Sequence, residues 1–323
     1  MKKIKIGNKF VGDVEPCLIS FEPSATYTTF EEAKEMIKAS ALSGADAVKF
    51  QTFLPGDSDR MMGDKEITVE FLTPSGKKKE LVYDAFKRRE LSKEQWKKLR
   101  DFAKELNIIF ISSPYFFETV DFLNELKVDA IKVSKGDINN VLLIDKISKT
   151  NIPVILDGRE KFEDVERAIN ICKKNMNEQI IIMHCPSGYP AENAGVHLSA
   201  IKAIKETFGF PVGFADHSPG DSMNYAAIAL GVSMLEKTIS PNKMTEHVEH
   251  YMSLELNELQ KFVEGVRSIE KAMGDPKILW TSRVAEKTRR SLVVNRDVKR
   301  NEKITLDMLD FKRPENAGIS CSY

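Results

Sequence analysis

Five basic residues stand in or just after short apolar runs: Lys49 in AVKFQ, Lys132 and Lys135 in AIKVSKGD, Arg159 in VILDGR and Lys237 in MLEKT. Burying a lysine in an apolar strand is costly unless it is paired or its stem reaches along apolar surface to water. Any one of the five fits that plain account. All five at one mouth would instead grip an anion, such as a small molecule carrying phosphate and carboxylate. Gln51, Ser134, Asp137, Asp157, Ser187 and Tyr189 stand at the same run ends and are candidate substrate-binding partners.

The five histidines fall into three groups. His184 and His217 close apolar runs, with Asp216 beside one of them and Glu236 in the next run. A lone histidine at a strand end is more often a hydrogen-bonded structural residue. Imidazole and carboxylate brought together would suit a divalent metal, and His217 with Glu236 is the expected pair. His247 and His250 flank Glu249 in TEHVEH, a polar loop expected to meet a sugar. His197 opens a helix and is expected at the surface.

These residues converge only if the runs are strands that end at one face. Eight candidates occur, at 17–21, 47–50, 108–112, 130–133, 153–156, 180–184, 212–215 and 234–238. Amphipathic stretches lie between them. One, over 92–107, opens on Ser92 with Gln95 three residues on, the pattern of a capping box. Another, over 30–43, stops at Gly44. Strand then helix, eight times over, predicts a parallel (β/α)₈ TIM barrel of the α/β class. An open doubly wound sheet shares the alternation, but its glycine-rich dinucleotide turn is missing. Active sites of such barrels lie at the C-terminal strand ends, where all the residues above stand.

Two regions break the rhythm. The polar excursion over 52–91 is long enough to be a lid or an inserted hairpin over that face. The tail follows a last helix predicted over 254–273. A barrel over 1–274, a linker over 275–290 and a small β-rich unit over 291–323 are expected. About 30 residues are too few for an independent core, so this unit must lean on something else.

Lysine plus arginine and aspartate plus glutamate number 48 each, so the chain lacks the basic excess of a nucleic-acid or membrane-surface binder. No apolar run approaches the roughly 20 residues of a membrane span. The basic start lacks the apolar core of a signal peptide, which favours a cytoplasmic protein. Cys17, Cys172, Cys185 and Cys321 show no C-x-x-C spacing and are expected as free thiols.

Seven segments occur in the order found in the N-acetylneuraminate (sialic acid) synthase family, which includes legionaminic, pseudaminic and spore-coat polysaccharide synthases. They are VKFQTF, IKVSKGDINN, HCPSGYP, FADHSPG, LEKT, HVEHYMSLELNEL and RRSLVVNRDVKRNEKIT. The resemblance spans nearly the whole chain. It implies a barrel followed by a short antifreeze-like (SAF) domain, usually in a domain-swapped homodimer. It also implies a metal-dependent condensation, with Mn²⁺ or Mg²⁺, of phosphoenolpyruvate with an N-acylated hexosamine. In that scheme Lys49, Gln51 and Lys132 hold phosphoenolpyruvate, and Tyr189 and Glu249 face the sugar. His217 is a metal ligand, and Arg313 reaches the sugar of a neighbouring subunit.

The chain departs from the family at its chemistry. Aligned without gaps, the family's first-strand I-A-E-I-G-x-N-H falls on residues 19–26, so the catalytic glutamate falls on Phe21, with Glu22 adjacent. A local bulge that re-aims Glu22 would restore it. Thr238 stands at a metal histidine, Asp157 at a phosphate-binding serine, and Lys135 adds a cation. Two other readings stay open. One is a barrel that has lost catalysis and serves as a binding or scaffold subunit. The other is an aldolase-type enzyme on another anion, with Lys132 or Lys135 forming a Schiff base.

Overall fold

The computed structural model describes residues 2–23, 25–158, 161–274, 289–313 and 318–321. Arg159 and most of the expected linker lie outside them. Met1–Ala272 and Met273–Tyr323 form two compact units.

The first unit opens with a hairpin, β1 (Ile4–Ile6) and β2 (Lys9–Val11). Next come β3 (Leu18–Glu22), α1 (Phe30–Leu42), β4 (Ala47–Gln51), α2 (Asp57–Met61), a second hairpin β5 (Thr68–Thr73) and β6 (Gly76–Leu81), α3 (Val82–Lys87) and α4 (Lys93–Glu105). The barrel continues through β7 (Ile109–Ser113), α5 (Phe117–Leu126), β8 (Ala130–Val133), α6 (Val141–Ser148), β9 (Val154–Asp157), α7 (Phe162–Lys174), β10 (Ile180–His184) and α8 (Ala200–Phe208). It ends with β11 (Val212–Asp216), α9 (Ser222–Ala229), β12 (Met234–Ser240), the short β13 (Leu254–Glu255) and α10 (Leu259–Met273). Strands β3, β4 and β7 to β12 pair in parallel, and β12 returns to β3, so the sheet closes with eight strands. All eight predicted strands are there. The last helix begins later than expected, because Leu254 and Glu255 pair with Ile239 and Ser240 first.

Local signals set the helices. Thr29 with Glu32 caps α1, and Ser92 with Gln95 caps α4, each a reciprocal capping box. The second unit is a three-stranded antiparallel sheet, with β14 (Ser291–Val294) between β15 (Leu309–Lys312) and β16 (Ile319–Ser320). Arg313 follows β15 and is exposed. Cys17, Cys172 and Cys185 are buried free thiols, and Cys321 is an exposed one. No helix among the described residues is long and apolar enough to cross a membrane.

Strand alternation sorts the barrel into two cores. Ile19, Phe21, Val48, Phe50, Phe110, Phe214 and Leu235 face the helices in one buried cluster. Leu18, Ala47, Ile109, Ile111, Ala130, Ile155, Ile181, Met183, Ala215 and Met234 form the other, inside the barrel. Gly213 leaves the room Met183 needs, since a Cβ there would lie 2.2 Å from the Met183 sulfur. Ile4, Ile6 and Val11 of the first hairpin join the inner cluster. The basic start of the chain is therefore a plug for the barrel, a role its pattern did not announce.

Ile6 is fully buried in that plug. Ile6→Ala is expected to destabilise the protein by about 2–4 kcal/mol. Chemical denaturation followed by circular dichroism will measure it, and an unshifted midpoint would detach the hairpin from the cooperative core.

Candidate functional site

The inner rows of the barrel change character toward their C-terminal ends. Two residues beyond Leu18, Ala47, Ala130, Ile155 and Met234 on the same face stand Ser20, Lys49, Lys132, Asp157 and Glu236. One step further stand Glu22, Gln51 and Ser134, and His217 follows Ala215 by the same step. These polar ends open into a cavity of about 460 Å³ lined by Glu22, Lys49, Lys132, Asp157, His217 and Glu236.

Two buried ion pairs hold the floor: Lys49 on Glu22 and Lys132 on Glu236. Burial alone would raise the Glu22 pKa, but Lys49, Lys132 and His217 outweigh it and hold the carboxyl well below its usual range. Burial alone would likewise lower Lys132, but Glu236 and Glu22 keep it protonated well above the usual lysine range. A lysine held as an ammonium is a poor nucleophile, which removes the support for a Schiff base at Lys132. Phe21, the residue under the family's glutamate, faces outward against Phe262 of α10, with ring centroids 5.7 Å apart. Glu22 occupies the cavity instead, and β3 reaches it without a bulge in its pairing with β12.

The sides come from loops. The turn after β8 brings Ser134, Lys135 and Asp137. Asp137 accepts from Ser134 Oγ and Asn140 Nδ2, each at 3.1 Å, which braces that turn. Gly188, at φ +119°, makes the turn that presents Tyr189, and the Tyr189 ring stacks on His217 at 5.4 Å. The excursion after β4 is docked over the mouth. Leu72 N–H donates to Tyr189 O at 2.9 Å, and Phe71 is buried with Ala25, Ala85 and Val248. The same excursion contributes Arg89, a cavity-lining residue that the pattern of the sequence did not signal. Its Nε donates to Ala85 O at 2.7 Å and its Nη1 to Gln51 Oε1 at 3.0 Å. Tyr115, in the loop after β7, was missed too. Arg89 lies far from any strand end, and Tyr115 follows the C-terminal end of β7, where only apolar and hydroxyl side chains precede it.

Residues 36–277 match the NeuB family. The chain belongs to this family. It is 35% identical over 295 residues to the N,N'-diacetyllegionaminic acid synthase of Campylobacter jejuni, covering 89% of this chain and 87% of that one. It is 30% identical to the N-acetylneuraminate-9-phosphate synthase of Homo sapiens, covering 96% of this chain and 87% of that one. The crystal structure of the N-acetylneuraminic acid synthetase of Leptospira borgpetersenii in complex with citrate superposes with a TM-score of 0.78 at 26% identity, covering 89% of this chain and 95% of that one. The chain is thus a synthase-family enzyme on a barrel scaffold.

Not every expected site residue enters this NeuB-family cavity. Asp216 and Lys237 sit one position out of phase with the inward rows, so they point between strands and helices. Lys237 Nζ pairs with Asp216 Oδ2 at 2.7 Å, and Asp216 also accepts from Ser218 and from Asn224 Nδ2 at 2.5 Å. This is a fully buried structural pair rather than part of an anion site. His184 is out of phase in the same way: Nε2 lies 2.6 Å from Val196 O and the ring stacks on Phe214. Ser187 stays at the rim, accepting from Lys135 Nζ at 3.2 Å. Glu22, Lys49, Gln51, Lys132, Ser134, Lys135, Asp137, Asp157, Tyr189, His217, Glu236 and Glu249 do line one cavity.

The donor set does not complete a metal site. His217 and Glu236 face the cavity, but Glu236 already carries Lys132. Thr238 offers a neutral hydroxyl, which has no hydrogen-bond partner among the described residues. No group of three or more His, Cys, Asp or Glu among the described residues is placed to hold an ion.

Glu249 is an acid of this space whose ionisation burial disfavours. Its backbone is left-handed at φ +73°, and its Oε2 is buried with no hydrogen-bond partner among the described residues. Burial, reinforced by the charge of Glu22, pushes its pKa from 4.5 up to about 7, although Arg89 and Lys49 pull it down. A raised carboxyl pKa favours the folded state fully only below the unfolded value. Stability from this group is therefore lost as pH rises from about 4.5 to about 7 and is level beyond. Glu249→Gln is expected to lack that slope and to exceed the wild type by on the order of 1–3 kcal/mol at pH 8. Denaturation at a series of pH values checks it, and parallel curves for the two proteins would refute the shift.

Proposed function

We propose that the chain condenses phosphoenolpyruvate with the open-chain aldehyde of an N-acylated hexosamine, giving a nine-carbon 2-keto-3-deoxy sugar acid and inorganic phosphate. The observation that carries this reading is the pair of buried lysines, Lys49 and Lys132, facing one cavity from neighbouring parts of the barrel floor. Membership in a family of named sialic, legionaminic and pseudaminic acid synthases supports it.

In this reading Lys49, Lys132 and Gln51 hold the carboxylate and phosphate, with Lys135 at the rim. The enol carbon of phosphoenolpyruvate forms the new bond to the aldehyde carbon, and the aldehyde oxygen takes a proton. Glu249, poised near neutrality, is suited to give that proton. Water then adds to the oxocarbenium carbon and loses a proton to Glu22. The new hydroxyl passes its proton to the departing phosphate as the carbon–oxygen bond to phosphate breaks, and the 2-keto group remains. The lysine ammonium groups stabilise the charge that develops on the alkoxide and on the leaving phosphate.

The scaffold reading rested on Phe21 and Thr238. Glu22 in the cavity removes the first reason. The homodimer and the contribution of Arg313 to a neighbour's site belong to the proposal, on the strength of the family alone.

The test is phosphate release from phosphoenolpyruvate with a panel of N-acyl hexosamines, with and without Mn²⁺. Lys132→Gln is expected to lower release by at least 100-fold. It is also expected to lower the melting temperature, because Glu236 is left buried without its partner. Lys237→Gln is expected to lower the melting temperature while leaving the KM for phosphoenolpyruvate within about twofold. Full release by the Lys132 variant would place the anion site elsewhere.

A further inference from the structure

A metal-dependent condensation needs nitrogen or carboxylate donors that are free to turn onto the ion. Where the family resemblance places a metal histidine, at the inward end of β12, this chain has the buried Thr238. A neutral hydroxyl is a weak ligand for a divalent ion. Its neighbours do not make up the loss. Glu22, its partner across the register with β3, holds Lys49. Glu236, two residues back on the same face, holds Lys132. Either carboxylate could turn to an ion only by leaving a buried ammonium without its counter-charge. His217, just past the neighbouring β11, lines the cavity with its ring stacked on Tyr189. Asp157 lines it too, yet among the described residues it forms no group of three with His217 and Glu236 placed to hold an ion.

What an ion would supply is positive charge at the aldehyde oxygen as the new bond forms. The cavity supplies that charge already. Lys49 and Lys132 face it as ammonium groups, each with donors left beyond the one spent on its carboxylate. Glu249 Oε2 is buried without a hydrogen-bond partner among the described residues, and burial favours the protonated form of that carboxyl. The step balances without an ion. The enol carbon bonds to the aldehyde carbon, the carbonyl π pair moves to oxygen, and the Glu249 proton joins it. We propose that this chain, in the reaction proposed above on which this inference rests, condenses its substrates without a bound metal, and that Thr238 in place of histidine is what abolishes ion binding.

Protein dialysed against EDTA is assayed for phosphate release from phosphoenolpyruvate with the panel of N-acyl hexosamines, with and without Mn²⁺ or Mg²⁺ added back. Release without ion is expected to stay within about twofold of release with it. Mn²⁺ binding is read separately, without substrates, from the electron paramagnetic resonance signal of the free ion. The wild type is expected to leave that signal unchanged at equimolar ion. Thr238→His places an imidazole on the rim with His217 and is expected to tighten Mn²⁺ binding by about tenfold or more. Release that is lost on chelation and regained with either ion overturns this inference and leaves the reaction standing. Stoichiometric capture of Mn²⁺ by the wild type does the same. A folded Thr238→His protein that binds Mn²⁺ no better takes the decision away from residue 238 and overturns the inference too. The two wild-type measurements decide it even where the variant fails to fold. Release under no condition removes the reaction itself and this inference with it.

Discussion

Four opposite charges locked in pairs inside a closed barrel are the constraint around which this molecule is built. Moving a carboxylate or an ammonium out of water costs several kcal/mol per ion, and only a well-placed partner offsets it. Glu22 with Lys49 and Glu236 with Lys132 satisfy that condition while staying open to a cavity. The pairing does not exhaust the lysines. An ammonium has three donors, and each of these uses one on a carboxylate among the described residues. The remaining donors can meet an anionic ligand without dismantling the pairs. A neutralised lysine is thus compatible with an anion site here, because the neutralising group stands beside the cation rather than across the space the ligand would fill.

How much of this was legible follows from periodicity. Short β-rich runs separated by amphipathic stretches revealed all eight strands, and two capping boxes revealed helix starts, since both signals are local. Placing charges at strand ends gathered the right neighbourhood but ignored phase. Glu236 and Lys237 are consecutive, so only one can face inward, and the same holds for Asp216 and His217. Counting by twos from the apolar inner residues Ala215 and Met234 selects His217 and Glu236. The same count from Leu18 selects Glu22 over Phe21, against the ungapped family alignment. The first hairpin is written locally, in Ile4 and Ile6 alternating before the Gly7-Asn8 turn, but its docking as a plug and the place of the Arg89 guanidinium were not legible. Each depends on contacts with residues far along the chain, and no short-range pattern encodes those.

The excursion shows how an irregular segment becomes a wall. It contains a hairpin and two short helices, none of which could hold its shape alone. The Leu72 bond to Tyr189 O and the buried Phe71 cluster tie it to the barrel loops, and within it Arg88 holds Glu80 by two bonds at 2.8 and 2.9 Å. Glu80 also accepts from Val248 N–H at 2.9 Å, so the loop carrying Glu249 is tied to the hairpin. The strained backbone at Glu249 and its partnerless oxygen therefore sit between two elements that brace each other. That bracing is what allows a carboxyl to be kept near its ionisation point in a space walled by valine and phenylalanine.

The substitution at Thr238 takes on meaning in this setting. Thr238 shares the inward phase of Glu236 and adjoins Glu22 in the register of β12 with β3. An imidazole there would bring a second ring to the rim beside His217. A threonine brings a hydroxyl that can donate one hydrogen bond and accept others, with no partner of its own among the described residues. Ser20 Oγ and Glu236 Oε2 are buried in the same condition on the same face of the barrel. Buried polar atoms are almost always satisfied, so a cluster of such atoms calls for water or a polar ligand. The positions that family resemblance reserves for a metal are thus suited in this chain to binding oxygen-rich groups by hydrogen bonds. Lys49 and Lys132 supply the positive charge. The departures from the family at Thr238 and Asp157 both change the polarity of inward-facing positions, while Phe21 belongs to the outer core that defines the barrel, which stays apolar.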